Sequence, residues 1–429
     1  VELKWLVEAE LQDHSVGYRS RMAETVRLLQ RLRQLFPKHA RQSNGWQEAP
    51  TLVADFRFLR RRRQYPKRDL PVPDVLARIQ AVTDDAAILG SVKALIDDET
   101  GKTRLSGFQV RAAERILHSI ESGKALATIV TAGTGSGKTL AFYLPALASI
   151  VRHHLVGDGN PWVKVIALYP RSELLKDQLR EVIRRAQSLL KAGGRTAIRV
   201  GALYGDVPSE ARWCDWPQSG RNYLCPTLKC IHCNGTMVWT EHDHAQGNER
   251  LICHDCEWTI NGDIFPLTRK AMAATPPDIL FTTTEMLNQR LSDNHLNRLF
   301  GIGVNALRPP ELVLLDEVHT YEGRHGAQVA YLLRRWQYLL RQSLRFVGLS
   351  ATLREAAGFF STLTGIYPTY VEEISPQREE LESEGAEYML ALRGDPVSRS
   401  ALLSTTIQTC MLVQRCLDPK KADLAQSVS

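Results

Sequence analysis

The 429-residue chain has no apolar run long enough to cross a bilayer. Its longest such stretch, LAFYLPALASIV, is short, contains a proline and follows a glycine-rich loop. The first residues are charged and lack a cleavable apolar core, so a secretory leader is not expected. Internal repeats and low-complexity tracts are missing too, which excludes solenoids and compositionally biased scaffolds. A cytoplasmic globular protein is the default expectation. Hydrophobic residues at 44% and charged residues at 24% fit that class. The length exceeds one ordinary core, so two or three domains are expected. The chain begins at Val1, and we expect it to be the front part of a longer protein.

Beyond residue 70 there is no charge excess: 39 basic and 39 acidic residues cancel. The net +7 therefore resides in residues 1–70, with 15 basic and 8 acidic residues, densest in FRFLRRRRQYPKR. Such a patch suits phosphate contact, or it is a solvated helix face. Cysteine is sparse. Of eight, four form Cys-x-x-Cys pairs, a spacing that inside a cell favours metal over disulfide.

MAETVRLLQRLRQLF and DVLARIQAVTDDAAILGSVKALI repeat apolar residues at helical spacing, so residues 1–104 are expected to form a basic helical region. From residue 105, short apolar runs alternate with amphipathic segments. Strands are expected at ALATIVTA, VKVIALYP, AIRVGALY, DILFTTT, LVLLDEV and RFVGLSA. That alternation implies an α/β fold with a parallel sheet covered on both faces. Its halves are residues 105–204 and 271–375, split by an insertion at 205–270. Residues 376–429 begin acidic and loop-like and end as the start of a further α/β unit.

TIVTAGTGSGKTL sets a glycine-rich loop between an expected strand and an expected helix, the context of a phosphate-binding loop. Gly133, Thr134, Gly135, Ser136 and Gly137 would wrap the phosphates of ATP with backbone N–H groups. Lys138 would reach the β/γ-phosphates and Thr139 would ligate Mg²⁺. Ala132 stands where the general pattern begins with glycine. Downstream, LVLLDEVH delivers Asp316 and Glu317 at a strand end. Asp316 suits Mg²⁺, and Glu317 suits activation of the attacking water.

These motifs, with Ser350-Ala351-Thr352 after them, resemble the first, RecA-like lobe of a superfamily 2 helicase of the DEVH/DEAH type. LLDEVHTYEGRHGAQVAYLLRR is most similar to the Lhr and YprA/MrfA-like DNA helicases and to large helicases of bacterial anti-phage systems such as Druantia and DISARM. The resemblance spans roughly residues 105–375. It implies an adenine-reading role for Gln109 and nucleic-acid contacts by Pro170 and Arg171 and by Thr283 and Thr284. It further implies coupling of ATP state to strand binding by His319, Ser350 and Thr352. DNA is the expected partner, with RNA as the alternative. A second lobe with the family's Gln-x-x-Gly-Arg-x-Gly-Arg motif is absent from the sequence. Without its arginines, weak ATP binding and slow hydrolysis are expected.

Cys230-x2-Cys233 and Cys253-x2-Cys256, nineteen residues apart, fit a Cys₄ zinc site on a small ribbon. A redox pair and unliganded cysteines are the alternatives. Cys214, Cys225, His232, His242, His244 and His254 are alternate ligands, while Cys410 and Cys416 are expected to be buried apolar residues. Trp213, Trp216, Trp239 and Trp258 either stack on bases or pack the ribbon's small core. The insertion would guide strands or dock a partner subunit of a defence system. Two functional expectations stand: an ATP-driven nucleic-acid motor, and an ATP-gated nucleic-acid-binding scaffold or sensor.

Overall fold

Seven short strands form the central sheet of the computed structural model: β1 (Ala127–Thr131), β2 (Val165–Tyr169), β3 (Val200–Leu203), β4 (Ile279–Thr283), β5 (Leu312–Leu315), β6 (Phe346–Ser350) and β7 (Val371–Ile374). The structure describes residues 6–10, 16–20, 31, 53, 55–97, 103–133, 135–157, 160–191, 197–304, 306–351, 353–393, 403, 405–411 and 414. Strand order is β7-β1-β6-β5-β2-β4-β3, and every pairing is parallel. All carboxyl ends therefore share one edge, where α/β sheets gather ligand-binding loops.

The six expected strands are all present. β1, β2, β3, β5 and β6 are buried at every residue, which is why they read as continuous apolar runs instead of alternating ones. β7 was not expected, because VEEI sits in an acidic stretch. It is an edge strand: Glu372 and Glu373 are exposed while Ile374 packs inward, an arrangement that lets charge survive in a sheet.

Two compact units make up the chain, residues 65–382 and residues 1–64 with 383–429. The first holds the sheet, the insertion and the helices Val72–Gln80 and Ala86–Ile96 expected near the amino terminus. In the second, Leu6–Glu10 pairs antiparallel with Val16–Ser20, and Asp55–Pro66 pairs with Leu381–Arg393. The basic run is thus a strand, not a helix face, with Arg57, Arg62 and Arg63 exposed. Aromatic residues alternating with arginine in FRF, and Tyr65 at the far end, favour an extended backbone over a helix. Apart from Arg31, MAETVRLLQRLRQLF lies outside the described residues. Cys410, expected to be buried, is exposed, as are its neighbours Ile407 and Met411; Cys416 lies outside the described residues.

The insertion folds into a five-stranded antiparallel sheet: Gln218–Ser219, Asn222–Lys229, Thr236–Trp239, Arg250–Cys253 and Thr259–Asn261, paired in sequence order. Trp216 and Trp239 fill its core with ring centroids 5.7 Å apart. Among the described residues, no helix is long and apolar enough to cross a membrane.

Candidate nucleotide site, four-cysteine centre and nucleic-acid edge

The loop after β1 turns into the helix Lys138–Val156 through Gly135 (φ 78°) and Gly137 (φ 85°), backbone angles that glycine adopts without a Cβ penalty. Lys138 folds its Nζ back onto the carbonyl oxygen of Ala132 at 2.6 Å. Burial pulls the Lys138 ammonium below its ordinary pKa, against the attraction of Glu317 and Asp316. The Ser136 hydroxyl is buried without a partner among the described residues, as a donor reserved for a phosphate oxygen would be. Thr139 follows in the first turn; Thr134 lies outside the described residues.

Gln109 is buried under this loop, and both ends of its amide are engaged. Its Oε1 accepts from the Ser106 N–H at 2.9 Å, and its Nε2 donates to the Gly137 carbonyl at 2.9 Å. The helix Gly107–Glu121 is thereby tied to the phosphate loop. Two neighbours had no signal in the sequence. A Cβ on Gly135 would lie 3.8 Å from the Tyr65 ring, and one on Gly137 3.5 Å from the Arg68 guanidinium. Both residues come from far upstream, so only folding reveals them.

β5 ends beside β6, and β6 lies beside β1, so the carboxylates and the loop flank Ser350. Asp316 continues the pairing through its N–H to the Leu168 carbonyl at 3.0 Å. Burial pushes the Asp316 carboxyl up to about 6, and the Glu317 charge adds to that while Lys138 opposes it. Two buried phenols, Tyr143 and Tyr169, hydrogen-bond each other at 2.9 Å and, like Tyr321, are raised chiefly by burial and further by the Asp316 charge. A cation here would offset the desolvation of Asp316, so the donor set fits Mg²⁺. Glu317 takes left-handed angles (φ 48°, ψ 48°), rare strain for a residue with a Cβ. Its carboxylate lies 3.3 Å from Nδ1 of His319, which is 3.4 Å from the Ser350 hydroxyl. Thr352 lies outside the described residues.

On the other half of the same edge, Pro170 and the exposed Arg171 follow β2, while Thr283 ends β4 and Thr284 follows it. Thr283 caps the short helix after it, its hydroxyl accepting from the Met286 N–H at 3.2 Å. That N–H is occupied by the protein itself, and Thr284 is buried. Arg171 is the exposed cation of this group.

The sulfur atoms of Cys230, Cys233, Cys253 and Cys256 all lie within 4.8 Å of one another. Three of the contacts measure 3.4–3.5 Å, near the separation of about 3.8 Å that tetrahedral Zn–S bonds impose. The two turns are built alike. After each pair comes a left-handed residue, Asn234 (φ 64°) or Glu257 (φ 58°), whose N–H bonds the carbonyl of the first cysteine at 3.1 Å. Backbone N–H groups of His232, Gly235 and Asp255 point at sulfur at 3.4 Å. Burial opposes ionisation of Cys253, but the N–H groups of Cys256 and Asp255 and the adjoining thiols outweigh it and bring the pKa to about 7. The donor set fits Zn²⁺. Three of the alternates have other partners: Cys225 contacts Thr227 and His254 contacts Asp255. His244 bonds the Ala211 carbonyl and stacks on Tyr223.

The DEAD/DEAH box helicase family model matches residues 106–226 and 242–358. Druantia protein DruE of Escherichia coli (strain UMEA 4076-1) is 25% identical over 295 residues, 56% of this chain and 16% of that protein. The Lhr helicase/uracil glycosylase of Escherichia coli (strain K12) is 37% identical over 111 residues, 26% of this chain and 7% of that protein. The chain thus spans a small part of these relatives' lengths. The crystal structure of DUF1998 helicase MrfA bound to DNA has 16% identity and a TM-score of 0.46, covering 85% of this chain and 35% of that one.

Proposed function

The chain belongs to the DEAD/DEAH box helicase family, and from that premise we propose that it is a motor lobe of an ATP-driven helicase or translocase acting on DNA in the cytoplasm. One observation carries the reading. The phosphate loop after β1 and the Asp316–Glu317 pair after β5 flank β6, whose Ser350 meets the pair through His319. Lys138 and the loop N–H groups would hold the phosphates, Thr139 and Asp316 the Mg²⁺, and Glu317 would orient water at the γ-phosphate. ATP and Mg²⁺ supply the energy-yielding phosphoryl bond and its charge neutralisation. A second lobe bearing arginines would close the other wall of the cleft.

Arg171 would touch a strand backbone, while Gln109, placed beneath the loop, would report nucleotide occupancy to the helix it begins. The four cysteines would hold structural Zn²⁺. The match to DruE supports a place in anti-phage defence, with a partner subunit of such a system. DNA is preferred over RNA because LLDEVHTYEGRHGAQVAYLLRR resembles the Lhr and YprA/MrfA-like DNA helicases. An ATP-gated binder that does not move would share the same site. ATP-driven displacement of streptavidin from biotinylated single strands of DNA and of RNA separates the two. Displacement is expected on DNA; tight ATP-dependent binding without displacement would sink the motor.

A further inference from the structure

We propose that Trp213 is a stacking platform for one unpaired base of the bound strand, held in place by the four-cysteine insertion. The proposal rests on the nucleic-acid reading above and adds a contact to it. Trp216 and Trp239 are buried and donate their indole N–H groups to the carbonyls of Asp206 and Asn248, each at 2.7 Å. Trp258 is half-buried and meets His232 edge-on. Trp213 differs: it is 64% exposed, and the Arg212 guanidinium lies 5.4 Å from its ring. Of the four indoles in or beside the insertion, its ring is the one most open to solvent.

The turn that carries it is fixed. The N–H groups of Trp213 and Cys214 bond the carbonyls of Glu210 and Ala211, both at 3.0 Å. His244 bonds the Ala211 carbonyl at 2.7 Å and is itself held against Tyr223 and Trp239, with centroids 4.2 and 4.9 Å away. From the other side, the N–H groups of Arg269 and Lys270 bond the carbonyls of Pro208 and Ser209. An aromatic side chain on such a turn is positioned before any ligand arrives, which lowers the entropy cost of binding.

Its place matches the expected strand path. The chain leaves β3 at the carboxyl edge and reaches the turn at Ala211–Trp213 within the next ten residues; β3 pairs with β4, and β4 pairs with β2. Arg171 follows β2, Thr283 ends β4, and the segment that leaves β3 carries Trp213, so the three come from successive neighbouring strands. The charges around the ring are mixed, since Glu210 pairs with Arg212 at 3.1 Å and Lys270 at 3.3 Å. A balanced surface grips a duplex backbone poorly, whereas a flat ring with a guanidinium beside it suits the π-face of one base.

The test uses the full chain with Trp213→Ala and Trp213→Phe, read by anisotropy of a labelled single-stranded oligonucleotide. Zinc content and circular dichroism verify folding. Stacking predicts roughly five- to hundredfold weaker binding for the alanine variant and near wild-type binding for phenylalanine, which keeps a ring. Wild-type affinity in Trp213→Ala, or equal loss in both variants, would overturn the stacking role while leaving the motor reading intact. A wild-type chain that binds no single strand would overturn both.

Discussion

Ser350 sets its hydroxyl 3.4 Å from Nδ1 of His319, and the same nitrogen lies 3.3 Å from the carboxylate of Glu317. One imidazole thus joins the end of β6 to the residue proposed to activate water. Ser350→Ala should leave ATP affinity unchanged and reduce the stimulation of hydrolysis by single-stranded DNA. Coupling of this kind is worth about 0.5–2 kcal/mol, a loss of roughly two- to thirtyfold. Rates with and without DNA check it; an equal fall in both would place Ser350 in chemistry instead of coupling.

Gly137 and Gly133 should respond differently to alanine. At Gly137 the left-handed angle and a Cβ only 2.6 Å from Gln109 Nε2 combine, so Gly137→Ala should cost about 1–3 kcal/mol and weaken ATP binding. A Cβ on Gly133 meets nothing within 4 Å, so Gly133→Ala should change stability by less than about 0.5 kcal/mol. Thermal unfolding with and without ATP separates the two.

Asp278 binds together the amino ends of three strands. Its carboxylate meets Lys164 Nζ at 2.7 Å, His154 Nε2 at 2.8 Å and the Arg199 N–H at 2.8 Å, just before β2, β3 and β4 begin or, for His154, late in a covering helix. Burial would raise the Asp278 carboxyl, but His154 and Lys164 outweigh it and hold it below the ordinary value. The folded protein therefore takes up this proton less readily than the unfolded chain. The resulting stabilisation is complete above the unfolded pKa of about 3.9 and is lost as pH falls through the lower folded value. Asp278→Ala, which leaves Lys164 buried and unpaired, should cost about 3–5 kcal/mol at neutral pH, measured by urea unfolding.

The four-cysteine centre should hold one zinc ion per chain, read by elemental analysis. Cys230→Ser combined with Cys253→Ser should abolish it and expose Trp216 and Trp239, shifting tryptophan emission to the red. Unchanged emission in the metal-free variant would mean that the insertion folds by its apolar core alone.

Much of this was readable before folding. Phosphate loop, carboxylate pair and cysteine turns are local patterns, each requiring particular residue types at fixed spacing. Buried parallel strands are legible for the same reason, as short runs such as LVLL. What the sequence hid depends on partners distant along the chain. VEEI reads as loop until β1 offers it an edge, and FRFLRRRR reads as part of a helical region until Leu381–Arg393 pairs with it. Gln109 looks like a surface glutamine or a base reader, yet its amide is bonded to Gly137, 28 residues on. Among four tryptophans in or near the insertion, composition could not say which one faces solvent.

The proposed role of Glu317 is activation of water in a motor that responds to a nucleic-acid strand. Its most direct measurement is phosphate release from Mg·ATP as single-stranded DNA is titrated into wild-type protein and Glu317→Gln, alongside ATP binding by both. DNA-stimulated release by the wild type, a fall of about a hundredfold or more in the variant, and equal ATP binding are expected. Release that ignores DNA, or that survives in Glu317→Gln, would contradict it.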